Sequence, residues 1–161
     1  MNDNKKIIGL IPARFKSSRL PGKPLVLLLG KPMIIWVLEL SSKVFGKENT
    51  YAATDDHRIF QTVKENGFQA IMTAVNHPTG TDRLAEAIEK IDGDIFINIQ
   101  GDEPTLNPES IKKVIQAKLD NPEMVVNAMT AIGEGEEPSN VNIPKVVFNE
   151  NNEMIYMSRL P

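Results

Sequence analysis

Residues 7–24 read IIGLIPARFKSSRLPGKP. The opening hydrophobic run, Ile7-Ile8-Gly9-Leu10-Ile11, predicts a buried strand. It breaks at Pro12 into a loop that carries Arg14, Lys16, Arg19 and Lys23 and no acidic residue. The charge bias reaches further. Residues 4–38 hold seven Lys or Arg and no Asp or Glu, in a chain whose net charge is −3. The remaining residues carry eleven cations against twenty-one acids. A cationic loop directly after a buried strand suits a small polyanion, with triphosphate the natural candidate. An exposed basic turn is the competing reading of the same residues.

Working outward, 161 residues suffice for one domain with a core. The mildly acidic balance argues against general nucleic-acid binding, which needs a broad basic surface. No cysteine is present, which excludes disulfides, thiolate metal sites and a cysteine nucleophile and fits the cytoplasm. Neither a signal peptide nor an apolar stretch long enough for a membrane span is visible.

Downstream of the basic loop, strand and helix patterns alternate. Met33, Val37, Leu40 and Val44 recur at helical spacing, with Pro32 at the first turn and Gly46 at the end. Residues 51–54 read as a short strand ending in Asp55-Asp56, and residues 56–66 as a helix with Ile59, Phe60 and Val63 inward. A strand is expected over 69–73. After the loop His77-Pro78-Thr79-Gly80 comes a helix with Leu84, Ile88 and Ile91 on one face. Residues 94–99, DIFINI, predict another buried strand that ends in Gln100-Gly101-Asp102-Glu103-Pro104. Asn107-Pro108 opens a helix, and residues 124–131 predict a further strand. The acidic, turn-rich residues 133–142 read as a surface excursion, followed by a hairpin around residues 149–152. Ser158-Arg159-Leu160-Pro161, directly after a strand pattern, reads as the end of an incomplete chain.

This alternation predicts an α/β fold with a mostly parallel sheet and helices on both faces. Ligands in such folds bind beyond the carboxyl ends of the strands. The loops at residues 12–24, 54–56 and 100–104 should therefore gather at one edge.

The loop after the first strand is neither a dinucleotide fingerprint nor a P-loop, since the required glycines and the Ser/Thr after lysine are absent. Arg forks and Lys point charges still suit phosphate oxygens. Asp102, at the end of an apolar strand, has two readings: a turn cap before Pro104, or a Mg²⁺ ligand against a bound phosphate. Residues 79–83 likewise offer either exposed helix amides with Arg83 for a nucleotide, or plain capping by Thr81 or Asp82. Asp55-Asp56 reads as a helix cap, and His57 and His77 lack metal-ligand spacing.

Three segments in this order resemble the bacterial 3-deoxy-manno-octulosonate cytidylyltransferase (CMP-Kdo synthetase) family. The first runs Ile11-Pro12-Ala13-Arg14 through Ser18-Arg19-Leu20-Pro21-Gly22-Lys23-Pro24-Leu25. The second is His77-Pro78-Thr79-Gly80-Thr81-Asp82-Arg83-Leu84-Ala85-Glu86, and the third Asn98-Ile99-Gln100-Gly101-Asp102-Glu103-Pro104. Thr54-Asp55 also fits. The resemblance implies a three-layer, Rossmann-like nucleotide-diphospho-sugar transferase fold. Residues 1–161 would form the N-terminal, CTP-binding part of a nucleotidyltransferase domain. It implies transfer of CMP from CTP to the anomeric hydroxyl of Kdo, for lipopolysaccharide synthesis, by a cytoplasmic homodimer.

Residue by residue, the resemblance places Ala13 and Arg14 at the cytidine end and the phosphates. It puts Arg19 and Lys23 on the triphosphate, so that Arg14, Arg19 and Lys23 form the catalytic cationic set. Gly80, Arg83 and Gln100 would shape the nucleotide pocket. Asp102 would ligate Mg²⁺, and Arg159 would contact the sugar acid. Two departures lie on the acceptor side. The family's Tyr-Phe-Ser-Arg is Tyr156-Met157-Ser158-Arg159 here, and residues 138–145 lack the usual Asn-Pro-Asn. They leave open a related acceptor, such as 8-amino-Kdo or a sialic-acid-like sugar, or a CTP-binding chain that is catalytically incomplete.

Overall fold

A computed structural model describes residues 5–16 and 20–160. The chain forms two compact units, Met1–Met124 and Val125–Pro161.

The first unit is built on β1, Ile7–Ala13, whose residues are almost all apolar and buried. It is followed by a one-turn 3₁₀ helix (Lys23–Leu25) and a small antiparallel ribbon, β2 (Leu27–Leu28) and β3 (Lys31–Pro32). Then come α1 (Met33–Phe45), β4 (Thr50–Thr54), α2 (His57–Glu65) and β5 (Gln69–Met72). The unit finishes with α3 (Gly80–Ile88), β6 (Ile95–Asn98) and α4 (Pro108–Asp120). The main sheet has the order β5-β4-β1-β6, and every pairing is parallel. Parallel neighbours need crossover helices, and these cover both faces. Side chains of β1 alternate accordingly. Ile11 and Ala13 join α1, α2 and α4 through Ile34, Leu38, Ile59 and Ile111. Ile8 and Leu10 join Leu84 and Ala87 of α3. The expected three-layer α/β architecture is thus the one observed. Gly9 leaves room for Phe45, since a Cβ there would lie 2.6 Å from the Phe45 ring.

One detail of β1 opens the site. The ladder to β6 ends at Leu10, whose carbonyl accepts from Ile99 N at 2.9 Å. The next residue facing that side is Pro12, which has no N–H to donate. β1 continues against β4 as far as Ala13↔Thr54, so β1 and β6 part company at their carboxyl ends. β1 also connects onward to β4 on one side while β6 flanks it on the other. This is the switch point at which α/β sheets bind ligands.

Local details refine the expected elements. Pro32 immediately precedes α1 with extended geometry rather than lying in its first turn. Asp56 caps α2 by accepting from Arg58 N at 2.9 Å, as Asp before a helix should. Asn107 caps α4 in the same way, with Pro108 in the first turn. α3 is capped by Thr79, two residues before Thr81, the earlier of the two caps the sequence suggested. Its hydroxyl accepts from Asp82 N, and Asp82 accepts from Thr79 N in a capping box. The strand expected over 124–131 does not form. Val125 is 98% exposed, and no strand pairs with this run. β-propensity marks residues that fit a pleated, half-buried surface, and without a neighbouring ladder it builds nothing.

The second unit holds the antiparallel hairpin β7 (Lys145–Phe148) and β8 (Met154–Ser158), with a bulge between Val147 and Phe148. Asn149 organises its turn, accepting from Asn151 N and Glu153 N with its side-chain oxygen. The acidic excursion before it is exposed, as expected. Among the described residues no helix is long and apolar enough to cross a membrane.

Candidate active site

The carboxyl edge of the sheet in the first unit carries a cleft of about 390 Å³. Its walls come from the end of β1 (Pro12, Ala13, Arg14), the 3₁₀ turn (Lys23, Pro24), α3 (Gly80, Arg83) and the loop after β6 (Gln100, Gly101, Asp102). Leu20 and Met33 complete the lining. Seven residues singled out in the sequence therefore share one wall system: Ala13, Arg14, Lys23, Gly80, Arg83, Gln100 and Asp102. Arg19 lies outside the described residues.

Glycines bring the walls together. Gly22 adopts φ +70, a left-handed conformation open to glycine at little cost. Its N–H donates to Phe15 O at 2.8 Å, which folds the basic loop back on itself and returns Lys23 to the sheet edge. Gly101 lets the loop after β6 press against β1, since a Cβ there would lie 2.7 Å from the Pro12 carbonyl oxygen.

Lys23 Nζ and Asp102 Oδ2 meet at 2.6 Å within the cleft. Both side chains keep substantial solvent exposure. A pair of this kind contributes about 0–1 kcal/mol, so either partner can be recruited by a ligand at small cost. Arg14 is exposed beside them. Gln100 contributes an amide, which donates weakly to Asn98 Oδ1 at 3.3 Å. Asp102 is the only carboxylate among the described lining residues. No cluster of three or more His, Asp or Glu with metal-binding geometry occurs among the described residues. This donor set does not suit a metal caged by protein alone. It does suit Mg²⁺ arriving with a polyphosphate, which takes one or two carboxylates and fills its shell with phosphate oxygens and water.

Arg83 departs from the picture of a free phosphate-binding arginine. It is 2% exposed, and its guanidinium donates to Asp55 Oδ2 at 3.0 Å, to Thr73 Oγ1 and to Ala74 O. Its positive charge is matched inside the fold by Asp55, a partner the sequence reading had not assigned to it.

Neither histidine is among the described lining residues of the cleft. His57 is exposed at the start of α2, and His77 bonds Glu86 at 2.6 Å. Glu86 also accepts from Lys90 and from Ala74 N. Chiefly through Lys90, then the Ala74 amide and His77, its carboxyl is held down to about 2. This node pins residues 74–77 to α3.

Arg159, in the second unit, donates to Asn142 O at 2.8 Å, while Lys145 Nζ donates to the Arg159 carbonyl and to Asn140 O.

A family model described as cytidylyltransferase matches residues 8–161. The chain belongs to the cytidylyltransferase family. Among its relatives, the Escherichia coli 3-deoxy-manno-octulosonate cytidylyltransferase is 44% identical over 159 residues, covering 97% of this chain and 63% of that protein. The enzyme of the same name from Syntrophus aciditrophicus is 43% identical over 159 residues, covering 96% and 64%. This cytidylyltransferase thus spans a little under two thirds of the length of the curated relatives it matches. Among solved structures, a CMP:2-keto-3-deoxy-manno-octonic acid synthetase complexed with CTP superposes with a TM-score of 0.87 at 41% identity. The match covers 96% of this chain and 64% of that one. A cytidylyltransferase from Leptospira borgpetersenii shares the fold, with a TM-score of 0.64 at 24% identity.

Proposed function

We propose that this chain carries the CTP site of an enzyme that transfers CMP to the anomeric hydroxyl of Kdo and releases pyrophosphate. The observation that carries the reading is the cleft itself. Arg14 and Lys23 of the loop after β1 and Gln100 and Asp102 of the loop after β6 converge beside small residues, Ala13 and Gly80. The 41%-identical structure complexed with CTP supports a nucleotide in that cleft.

The chemistry asked of the chain is modest. The sugar hydroxyl oxygen attacks the α-phosphorus and gives up its proton to water, the bond between the α-phosphorus and the bridging oxygen breaks, and pyrophosphate leaves with the electron pair. Negative charge builds on the leaving group, and the cations of the basic loop stabilise it. Lys23 gives up Asp102 for phosphate oxygens, and Arg14 grips them with its fork. Arg19 adds charge from the same loop. Ala13 and Gly80 allow close approach of the nucleoside, and Gln100 supplies both a donor and an acceptor to it. Asp102, released by Lys23, would hold Mg²⁺ against the phosphates. When bound, the metal neutralises phosphate charge. Positioning and charge account for the rest, and no covalent enzyme intermediate is needed.

Arg159 is the sugar-acid contact in this reading, its guanidinium suiting a carboxylate. The enzyme would act in the cytoplasm as a homodimer and feed lipopolysaccharide synthesis. Met157, where the family has phenylalanine, favours a second reading in which the acceptor is a related 2-keto-3-deoxy sugar acid. Pyrophosphate release from CTP, with Kdo and with 8-amino-Kdo in parallel, tests both. Release with Kdo alone supports the first reading, and release with neither contradicts both.

A further inference from the structure

We propose that Asp55 is a positioning residue for nucleotide binding, acting through Arg83 to hold the α3 wall of the cleft in place. The inference rests on the reading of that cleft as a nucleotide site.

Asp55 follows β4, and Arg83 stands in the first turn of α3, 28 residues later. Their side chains are 7% and 2% exposed, so the ion pair is desolvated on both sides. Arg83 also donates to Thr73 Oγ1 and Ala74 O, just beyond β5. A single guanidinium therefore ties the carboxyl ends of β4 and β5 to the start of α3. That start is a wall of the cleft. Gly80 and Arg83 both line it, and a Cβ on Gly80 would sit 3.4 Å from Pro12, so α3 already rests against β1. A shift of α3 by even part of an ångström reshapes the cleft.

The way Asp55 is bonded argues for positioning over stability. Its Oδ1 is buried and accepts no hydrogen bond from any described residue. A buried carboxylate left half satisfied is a poor way to stabilise a fold, because desolvation offsets much of the attraction. What the position supplies is one fixed negative charge aimed at Arg83. Without it, the buried guanidinium would be uncompensated and would turn toward water, and the cleft it lines is open to it.

Three proteins test this: the wild type, Asp55→Asn, and the double variant Asp55→Leu/Arg83→Met. The double variant removes both charges, so it folds even if the single variant does not. CTP affinity is measured by calorimetry with Mg²⁺ present, alongside hydrogen exchange at the Thr73, Asp82 and Arg83 amides. Both variants should bind CTP roughly 5- to 50-fold more weakly at temperatures well below their melting points. The three amides should exchange faster by a larger factor than the β1 amide of Ile8. Wild-type CTP affinity in a folded Asp55→Asn or in the double variant overturns the proposal. So does an increase in exchange that is uniform across these amides and Ile8. If the wild type itself binds no CTP, the nucleotide reading falls, and the exchange pattern alone decides whether Asp55 positions α3.

Discussion

Lys23 Nζ lies 2.6 Å from Asp102 Oδ2, joining residues 79 positions apart across the carboxyl edge of the sheet. With both side chains partly exposed, the pair holds each group ready for a ligand more than it holds the fold together.

Lys23→Ala should therefore separate binding from stability. The melting free energy should change by no more than about 1 kcal/mol. CTP affinity should drop roughly 10- to 100-fold, the worth of a charge-assisted hydrogen bond. Calorimetric titration beside a denaturant melt reads both quantities. Unchanged CTP affinity would remove Lys23 from the phosphate site.

Asp102→Asn keeps the size of the side chain and discards its charge. CTP binding by this variant should lose its dependence on Mg²⁺, because an amide is a far weaker ligand for a hard cation. A Mg²⁺ titration at fixed CTP is the readout. A curve that superposes on the wild type would return Asp102 to a turn-capping role.

Gly101→Ala probes the packing of the loop after β6. The added Cβ would fall 2.7 Å from the Pro12 carbonyl oxygen, a backbone atom with little freedom to give way. The expected result is destabilisation of about 1–3 kcal/mol together with weaker CTP binding. Loss of stability with intact CTP binding would show that the cleft tolerates a displaced loop.

Glu86 predicts a pH dependence. Its carboxyl is lowered from 4.5 to about 2 by Lys90, the Ala74 amide and His77. A lowered folded-state value means that the ionised form stabilises the fold. The contribution is complete above pH 4.5 and is lost as pH falls toward 2. The melting temperature of Glu86→Gln should lie below that of the wild type at pH 7, and the gap should close as pH falls through this window. A gap that stays constant from pH 7 to pH 3 would contradict the assignment.

Much of the fold was legible because its signals are local. The run from Ile7 to Ile11 is apolar at every non-glycine position and became the central strand. Helix caps at Asp56 and Asn107 followed from short-range hydrogen bonding. Two of the three loops expected at one edge, those after β1 and β6, could be found since each follows a strand in a parallel sheet and both line the cleft, whereas residues 54–56 do not line it and Asp55 meets its wall only through Arg83. What escaped was set by distant partners. The Asp55–Arg83 pair depends on how β4 sits beside α3, and no spacing in the sequence encodes it. Arg83, for which the sequence offered a nucleotide contact beside plain capping of the helix start, lines the cleft with its charge matched within the fold. Leu20, Pro24 and Met33 carry no chemical signature that marks them as cleft lining. Residues 124–131 have strand composition but no strand beside them. Thr79, not Thr81 or Asp82, caps α3 because its hydroxyl and Asp82 bond reciprocally, a pattern that Asp in place of the more common Glu concealed.

The most direct test of the central claim is calorimetric titration of this 161-residue chain with CTP, UTP and ATP, each with and without Mg²⁺. The account predicts binding of CTP in clear preference to UTP and ATP, strengthened by Mg²⁺. Equal binding of all three nucleotides, or none by a folded sample, would contradict it.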